Sequence, residues 1–201
     1  GGGDIIALDR LVITLTALGR AAVPLLRSGA QPGDFLYLTG YAGLAETGRL
    51  ILAGRVRLPA GTAGIRLAVQ RHLCPVPRAQ VMRALGLRIS ALIDTSDGLG
   101  SDARQLSVLS RVKIVIDPDQ LPLHPVTIKL CQQLRKNPLE FALSAGEDYE
   151  LLFTSRRNLP QMIKNVKITR IGHVREGKGL FIKEGEEVVP LKITGYDHLA
   201  E

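Results

Sequence analysis

Residues 89–99 read ISALIDTSDGL, and the interpretation of the whole chain starts from this stretch. The mostly apolar run 89–93 predicts a strand. Residues 94–98 combine two acids, a serine and a glycine, which predicts a turn, and residues 99–109 predict a helix that follows it. The stretch is therefore a strand that leads through an acidic turn into a helix.

The acidic turn has two interpretations. Asp94 and Asp97 stand at the start of a helix, where free backbone N–H groups attract anions. Magnesium prefers oxygen ligands and needs only one or two carboxylates besides substrate phosphates, so the turn is a candidate magnesium–phosphate site. Alternatively, Ser96 or Asp97 only caps the helix and Gly98 relieves a tight turn. Because acidic caps are common, the pattern alone favours the second interpretation.

Short strands and helices surround this stretch. Strands are predicted at 11–18, 35–39, 112–116 and 149–153, and helices at 44–53, 64–73, 77–85 and 125–134, before a tail of short strands and turns. The elements show no internal repeat and no strict βαβ rhythm. We therefore predict an α+β fold, in which a sheet carries helices on one side.

Composition and charge limit the class of protein. The 201 residues are 45% hydrophobic, enough for one domain or for one domain with part of another, and Pro24 marks a plausible boundary. No apolar stretch approaches the ~20 residues that cross a bilayer, so no membrane segment is expected. Cys74 and Cys131 lack CxxC spacing and fit reduced thiols of a cytoplasmic protein.

The net charge of +7 indicates an acidic partner. The basic residues are dispersed and are not interleaved with aromatic residues, as a surface that stacks on bases would require. Nucleic acid is therefore not an expected partner. A nucleotide or another phosphorylated small molecule fits the charge better.

Two further candidates for phosphate binding lie before the first predicted helix. In Gly1-Gly2-Gly3-Asp4, the glycines would let the backbone approach a phosphate and Asp4 could hold a metal, although a terminal glycine run is as often a linker. Arg27 lies in a loop from which its guanidinium could clamp a phosphate. A solvated loop arginine is the alternative.

Two candidates for substrate binding lie near the end of the chain. Residues 144–150, SAGEDYE, place three acids at the start of a strand. Such clusters are mostly solvated strand ends, but one carboxylate could accept a hydrogen bond from a substrate. Residues 195–198 include Tyr196, whose ring could stack on a heterocycle, unless this tail merely docks. The four histidines show no metal-binding spacing, and no Ser-His-Asp arrangement is present.

The order and wording of these motifs resemble the thiamine-monophosphate kinase family of the aminoimidazole ribonucleotide (AIR) synthase-like superfamily. The resemblance covers essentially the whole chain and rests on GGD at 2–4, TALG at 16–19, RSGAQPGD at 27–34, IDTSDGL at 93–99, LSAGEDYEL at 143–151, IG at 171–172 and GYDH at 195–198. It implies that residues 24–201 form an AIR synthase-like carboxy-terminal domain with a mixed sheet and helices on one side. Residues 1–23 would hold the last strand of an amino-terminal ATP-binding domain that is otherwise absent.

The resemblance also implies a function, namely the ATP- and Mg²⁺-dependent phosphorylation of thiamine monophosphate to thiamine diphosphate in the cytoplasm. By this resemblance ATP would contact Gly3, Asp4, Arg27 and Ser96, magnesium would bind Asp4, Asp94 and Asp97, and the thiamine moiety would contact Glu147 and Tyr196. Phosphoryl transfer depends mainly on positioning and on charge neutralisation, so no protein general base is named. A homodimer is expected where the amino-terminal domain is present.

Several residues depart from the family pattern. Ile5 and Ile6 follow the Gly-Gly-Asp motif where hydroxyl residues are usual, Leu44 replaces an acid, and Ala145 replaces a glycine. Family members also carry further metal-binding acids in the amino-terminal domain, so low or absent turnover is expected from the 201 residues alone. The alternative functions are another ATP-using enzyme of the superfamily, such as AIR synthetase or a hydrogenase-maturation protein, and a binding or scaffold domain without catalysis.

Overall fold

A computed structural model of the chain describes residues 13–192. Three of the predicted site residues, Gly3, Asp4 and Tyr196, lie outside this range, as do Ile5 and Ile6. The other predicted site residues, from Arg27 to Glu147, lie within it.

The described chain contains six α-helices and eight strands. The strands are β1 (Phe35–Thr39), β2 (Ala91–Asp94), β3 (Lys113–Ile116), β4 (Leu151–Ser155), β5 (Met162–Ile163), β6 (Val166–Arg175), β7 (Gly179–Glu184) and β8 (Glu187–Pro190). The helices are α1 (Leu44–Leu52), α2 (Ile65–Leu73), α3 (Ala79–Leu85), α4 (Leu99–Ser110), α5 (Pro125–Leu134) and α6 (Pro138–Ser144).

The strands form one mixed sheet in the order β2-β4-β1-β6-β3-β7-β8, with β5 paired to β6. The β3–β7 pair is parallel, and the other pairs are antiparallel. In β1, Leu36 and Leu38 face one core and Tyr37 faces another, as the period of two in a strand requires. The predicted α+β fold with a mixed sheet is confirmed.

Helices pack on both faces of this sheet. The larger core joins β1, β2 and β3 to buried residues of α4 and α6, such as Leu106 and Leu143. On the opposite face, Val81 and Leu85 of α3 pack with Phe153 of β4. Most of the helical layer therefore lies on the side of α4 and α6, as predicted. The expectation of helices on one side only is wrong for α3, which covers part of the other face.

The predicted elements agree with the observed ones to within two residues at most ends, and α5 has the predicted bounds. Helix α6 was not predicted, although Asn137 and Pro138 form a typical start, with the Asn137 side chain accepting a hydrogen bond from Leu139 N. The predicted strand at 11–18 is wrong for its described part: residues 13–18 form no strand, and Leu15 and Leu18 are 91% and 97% exposed. A strand needs a neighbour for its backbone groups, and residues 13–192 supply none here.

The contact between α1 and α2 depends on Gly48. A Cβ at this position would lie 2.1 Å from the backbone oxygen of Ala68 on α2, so the helices are closer than any larger side chain allows. We expect Gly48→Ala to lower the free energy of unfolding by about 2 kcal/mol, because overpacking outweighs the better helix propensity of alanine. Denaturant unfolding measures the loss.

Gly19→Ala is the matched control, since a Cβ at Gly19 would contact nothing within 4 Å. Its free energy of unfolding is expected to stay within about 0.5 kcal/mol of the wild type. Equal stability of the Gly48→Ala and Gly19→Ala variants would contradict the close helix contact.

Candidate functional site

The acidic turn joins β2 to α4. Asp94 ends the strand, and Gly98 is the residue before the first turn of the helix. Gly98 has φ +107°, and a Cβ there would lie 2.9 Å from the backbone oxygen of Ser144, so only glycine fits. No side chain caps α4 at Gly98, so the interpretation of Ser96 or Asp97 as an ordinary helix cap is wrong.

A buried carboxylate from within α4 holds this turn instead. Asp102 Oδ2 accepts hydrogen bonds from the backbone N–H groups of Ser96 (3.0 Å) and Asp97 (3.3 Å). Asp102 is fully buried, and its Oδ1 has no partner among the described residues. Burial raises the pKa of Asp102 to about 7, and the nearby charges of Asp97 and Asp94 also raise it. The carboxyl groups of Asp94 and Asp97 therefore act electrostatically on that of Asp102.

The loop before β4 lies directly against this turn. Glu147 N donates to Ser96 O (2.9 Å) and Tyr149 N donates to Thr95 O (2.8 Å). A Cβ on Gly146 would lie 2.6 Å from the oxygen of Ser96, so the two backbones pack closely. Glu147 and Tyr149 both have positive φ, at 63° and 48°, which is uncommon for residues with side chains.

The four residues of the Glu147–Glu150 motif divide between the interior and the cavity. The Asp148 carboxylate accepts hydrogen bonds from Gly43 N (2.6 Å) and Ala45 N (2.8 Å), and so binds the first turn of α1. Glu150 is buried and forms a bidentate ion pair with Arg78, while Thr39 Oγ1 also donates to it. Asp148 and Glu150 are therefore structural residues and not solvated strand ends, which leaves Glu147 and Tyr149 for a ligand.

A cavity of about 650 Å³ opens between the acidic turn and this loop. It is lined by Glu46 and Arg49 of α1, Ser96 and Asp97 of the turn, Lys136 and Phe141, and residues 144–147 and 149. The cavity thus brings Ser96, Asp97 and Glu147 together, although they come from separate motifs. A second cavity of about 600 Å³ shares Lys136, Phe141 and Ser144 with the first and adds the cations of Arg135 and Lys192.

The other predicted site residues lie elsewhere. Asp94 is not among the residues that line the cavity, and its charge acts on the Asp102 carboxyl. Arg27 is exposed, and its Nη1 donates to Gln105 Oε1 (3.1 Å) on α4, so the described structure does not place it in the cavity. Leu44 is buried in the core between α1, α2 and α5.

Within residues 13–192, no group of three or more histidine, cysteine or acidic residues has the arrangement of a metal site. The carboxylates of the acidic turn are the candidate ligands there. Magnesium commonly keeps water and binds substrate phosphates, so one or two carboxylates are sufficient. No helix in the described range is long and apolar enough to cross a membrane.

Sequence reasoning missed two residues that build the site. Asp102 has only a weak sequence signal, an acid in the first turn of a helix that follows an acidic turn. Arg78 has no local signal, because its partner Glu150 is 72 residues away in sequence. Both act by holding backbone segments that carry the predicted site residues.

The unusual pKa of Asp148 gives a test of this arrangement. Burial raises its pKa from 3.8 to about 7, against the opposing effect of the hydrogen bonds from α1. The folded state then binds a proton that the unfolded state has lost between about pH 4 and 7, so the contribution of Asp148 to stability falls as pH rises through this window.

We expect the free energy of unfolding of the wild type to fall relative to Asp148→Asn over that pH range, with a slope of up to about 1.4 kcal/mol per pH unit. Chemical denaturation at several pH values measures this difference, and Asp102 titrates equally in both proteins. A difference that is constant between pH 4 and 7 would contradict the raised pKa.

The chain is similar to curated thiamine-monophosphate kinases. It is 34% identical to that of Aquifex aeolicus over 198 residues, which is 98% of this chain and 62% of the relative. It is 38% identical to that of Salmonella typhimurium over 190 residues, which is 90% of this chain and 56% of the relative. The chain therefore spans about three fifths of the length of these relatives. No family model matches it.

The chain is also similar to solved structures of thiamine-monophosphate kinases. The crystal structure of the A. aeolicus thiamine-monophosphate kinase matches with a TM-score of 0.70 and 34% identity, over 79% of this chain and 53% of that one. A hydrogenase maturation protein of Escherichia coli matches with a TM-score of 0.65 at 19% identity, which supports the AIR synthase-like fold alone. Over 98% of its sequence and in its fold, the chain is similar to the thiamine-monophosphate kinases.

Proposed function

We propose that this chain provides the substrate side of a kinase that transfers the γ-phosphoryl group of ATP to thiamine monophosphate and forms thiamine diphosphate. The observation that carries the proposal is the cavity that joins Ser96, Asp97 and Glu147. The similar curated kinases point to the same reaction, and one solved relative at 35% identity is a complex with AMPPCP and TMP. AMPPCP is a non-hydrolysable analogue of ATP.

Magnesium fits the acidic turn on chemical grounds. Asp94 and Asp97 offer hard oxygen ligands, and the Oδ1 of the neighbouring Asp102 has no hydrogen-bond partner among residues 13–192. When bound, magnesium would neutralise phosphate charge during transfer. Asp102 fixes the backbone of the turn through Ser96 and Asp97, so the two ligands are held before the metal arrives.

The remaining residues have positioning roles. Ser96 faces the cavity beside Asp97 and would contact the nucleotide. Glu147 would accept a hydrogen bond from the thiamine moiety, and His72 Nδ1 lies 3.7 Å from its carboxylate. Arg27 would contact ATP, because its bond to Gln105 uses only Nη1 and the guanidinium has further N–H groups for a phosphate. Gly3 and Asp4 would contact ATP, and Asp4 would also bind the metal. Tyr196 would contact the thiamine moiety.

The wider assignments belong to the same proposal. Residues 1–23 would be the end of an amino-terminal ATP-binding domain, and residues 24–201 the carboxy-terminal domain. The location would be cytoplasmic, which the free thiols of Cys74 and Cys131 suit. A homodimer is proposed for the form that carries the amino-terminal domain.

Thermal melting tests the proposal without requiring turnover. A ligand that binds only the native state raises the melting temperature. We expect a rise with thiamine monophosphate in the presence of Mg²⁺ and AMPPCP, because the cavity lies within the described fold. Thiamine without its phosphate is the control and should give a smaller rise.

The absence of any shift with thiamine monophosphate, together with an intact unfolding transition, would contradict the proposal. It would favour the scaffold interpretation. An equal shift with any phosphate monoester would favour another enzyme of the superfamily.

A further inference from the structure

Tyr149 is an aromatic residue held in a strained conformation at the edge of the cavity. Its φ of 48° lies in the left-handed region, which bulky side chains rarely adopt. Such conformations persist only where the surrounding structure fixes them, and they cluster at ligand sites. The surrounding structure should therefore fix the conformation of Tyr149, and this conformation indicates that Tyr149 contacts a ligand in the cavity.

The neighbours of Tyr149 in sequence fix its backbone. Asp148 on one side binds the N-terminus of α1, and Glu150 on the other side is held by Arg78. Between them, Tyr149 N donates to Thr95 O (2.8 Å), and Glu150 N donates to Thr95 Oγ1 (3.1 Å). Because both flanking side chains point into the protein, the Tyr149 side chain is directed to the cavity that it lines.

The ring of Tyr149 has no partner among residues 13–192. It is 41% exposed, and within that range it makes no ring–ring or cation–ring contact, and its hydroxyl makes no hydrogen bond. The fold thus holds an aromatic face beside Asp97 and Glu147 and leaves it free. A free aromatic face next to carboxylates suits a flat, positively charged ring.

We propose that Tyr149 is a specificity-determining residue whose ring packs on the thiazolium cation of the thiamine phosphate. This inference rests on the proposed function, since it names the group that the same cavity recognises. Glu147 would then bind a hydrogen-bond donor of the substrate, the acidic turn would hold the phosphate through its metal, and Tyr149 would select the cationic ring between them.

Calorimetric titration of thiamine monophosphate into the 201-residue chain, with Mg²⁺ and AMPPCP present, tests the inference. We expect Tyr149→Leu to weaken binding about tenfold, because an aliphatic side chain of similar reach lacks the ring's quadrupole. Tyr149→Phe keeps the ring and should bind within about twofold of the wild type. The affinity for AMPPCP should be unchanged in both variants.

Two measurements separate this role from a structural one. Leucine and phenylalanine meet the same backbone strain, so the two variants should melt at the same temperature. If neither folds, Tyr149→Gly relieves the strain and should retain the fold while losing affinity for thiamine monophosphate.

Tight binding by Tyr149→Leu, or equally weak binding by Tyr149→Phe, would overturn the inference and leave the proposed function standing. Failure of the wild type to bind thiamine monophosphate would overturn both. The outcomes are therefore distinguishable.

Discussion

Replacing Arg78 with methionine is expected to lower the free energy of unfolding by about 3–5 kcal/mol, because it would leave the buried Glu150 carboxylate without its counter-ion. Both side chains of this pair are 5% exposed. Arg78 Nε donates to Glu150 Oε2 at 2.6 Å, and Nη2 donates to Oε1. Thr39 Oγ1 adds a further hydrogen bond to Glu150, but it cannot neutralise the charge.

The Arg78→Met substitution should also disturb the candidate functional site. Glu150 fixes the end of the loop that carries Glu147 and Tyr149, and its backbone oxygen accepts from Thr95 N (2.8 Å) beside the acidic turn. Arg78→Met should therefore also weaken the stabilisation by thiamine monophosphate. Urea unfolding with and without this ligand measures both effects.

Two variants serve as controls for Arg78→Met. Removing both charges in Arg78→Met/Glu150→Gln should recover at least half of the lost stability, since no unpaired charge remains buried. Arg66→Met, on the exposed surface of α2, should change stability by less than about 0.5 kcal/mol. A loss below about 1 kcal/mol for Arg78→Met would contradict the buried pair.

Asp97→Asn is expected to weaken the binding of magnesium–AMPPCP by about 100-fold or more. Loss of groups that only orient a metal ligand costs about 10–100-fold, so loss of a ligand should cost at least the upper figure. The amide keeps the size of the side chain and removes the charge. Asp94→Asn should act similarly, because Asp94 borders the same carboxylate cluster.

Titration calorimetry with Mg²⁺ and AMPPCP measures this loss, and Asp119→Asn is the matched control. Asp119 lies in a short turn after β3 and does not line the cavity, so its variant should bind as the wild type does. Unchanged binding by both Asp97→Asn and Asp94→Asn would contradict the assignment of magnesium to the acidic turn.

Local sequence patterns predicted most of the fold. The apolar strand β1 and helix α5, which begins at Pro125, follow rules that act within a few residues, and the predictions agree with the structure. The segment 13–18 shows the limit of such rules, since its alternating pattern is typical of a strand but residues 13–192 provide no strand to pair with it.

The site was predictable where a residue's chemistry is visible in its own motif. Asp97 and Glu147 were predicted separately, and the structure places both in one cavity. The contacts that hold the backbone around Glu147 were not predictable, because they join residues that are distant in sequence. Asp148 binds α1 across 103 and 105 residues, and Arg78 pairs with Glu150 across 72 residues.

The most direct test of the proposed function is a product assay with ATP, Mg²⁺ and thiamine monophosphate, in which thiamine diphosphate is resolved by chromatography. It is run with the 201-residue chain alone and with the chain supplemented by the remaining part of the A. aeolicus relative. We expect magnesium-dependent formation of thiamine diphosphate in at least the supplemented reaction, and its loss in Asp97→Asn. No thiamine diphosphate in either reaction, or equal amounts from Asp97→Asn, would contradict the proposed kinase.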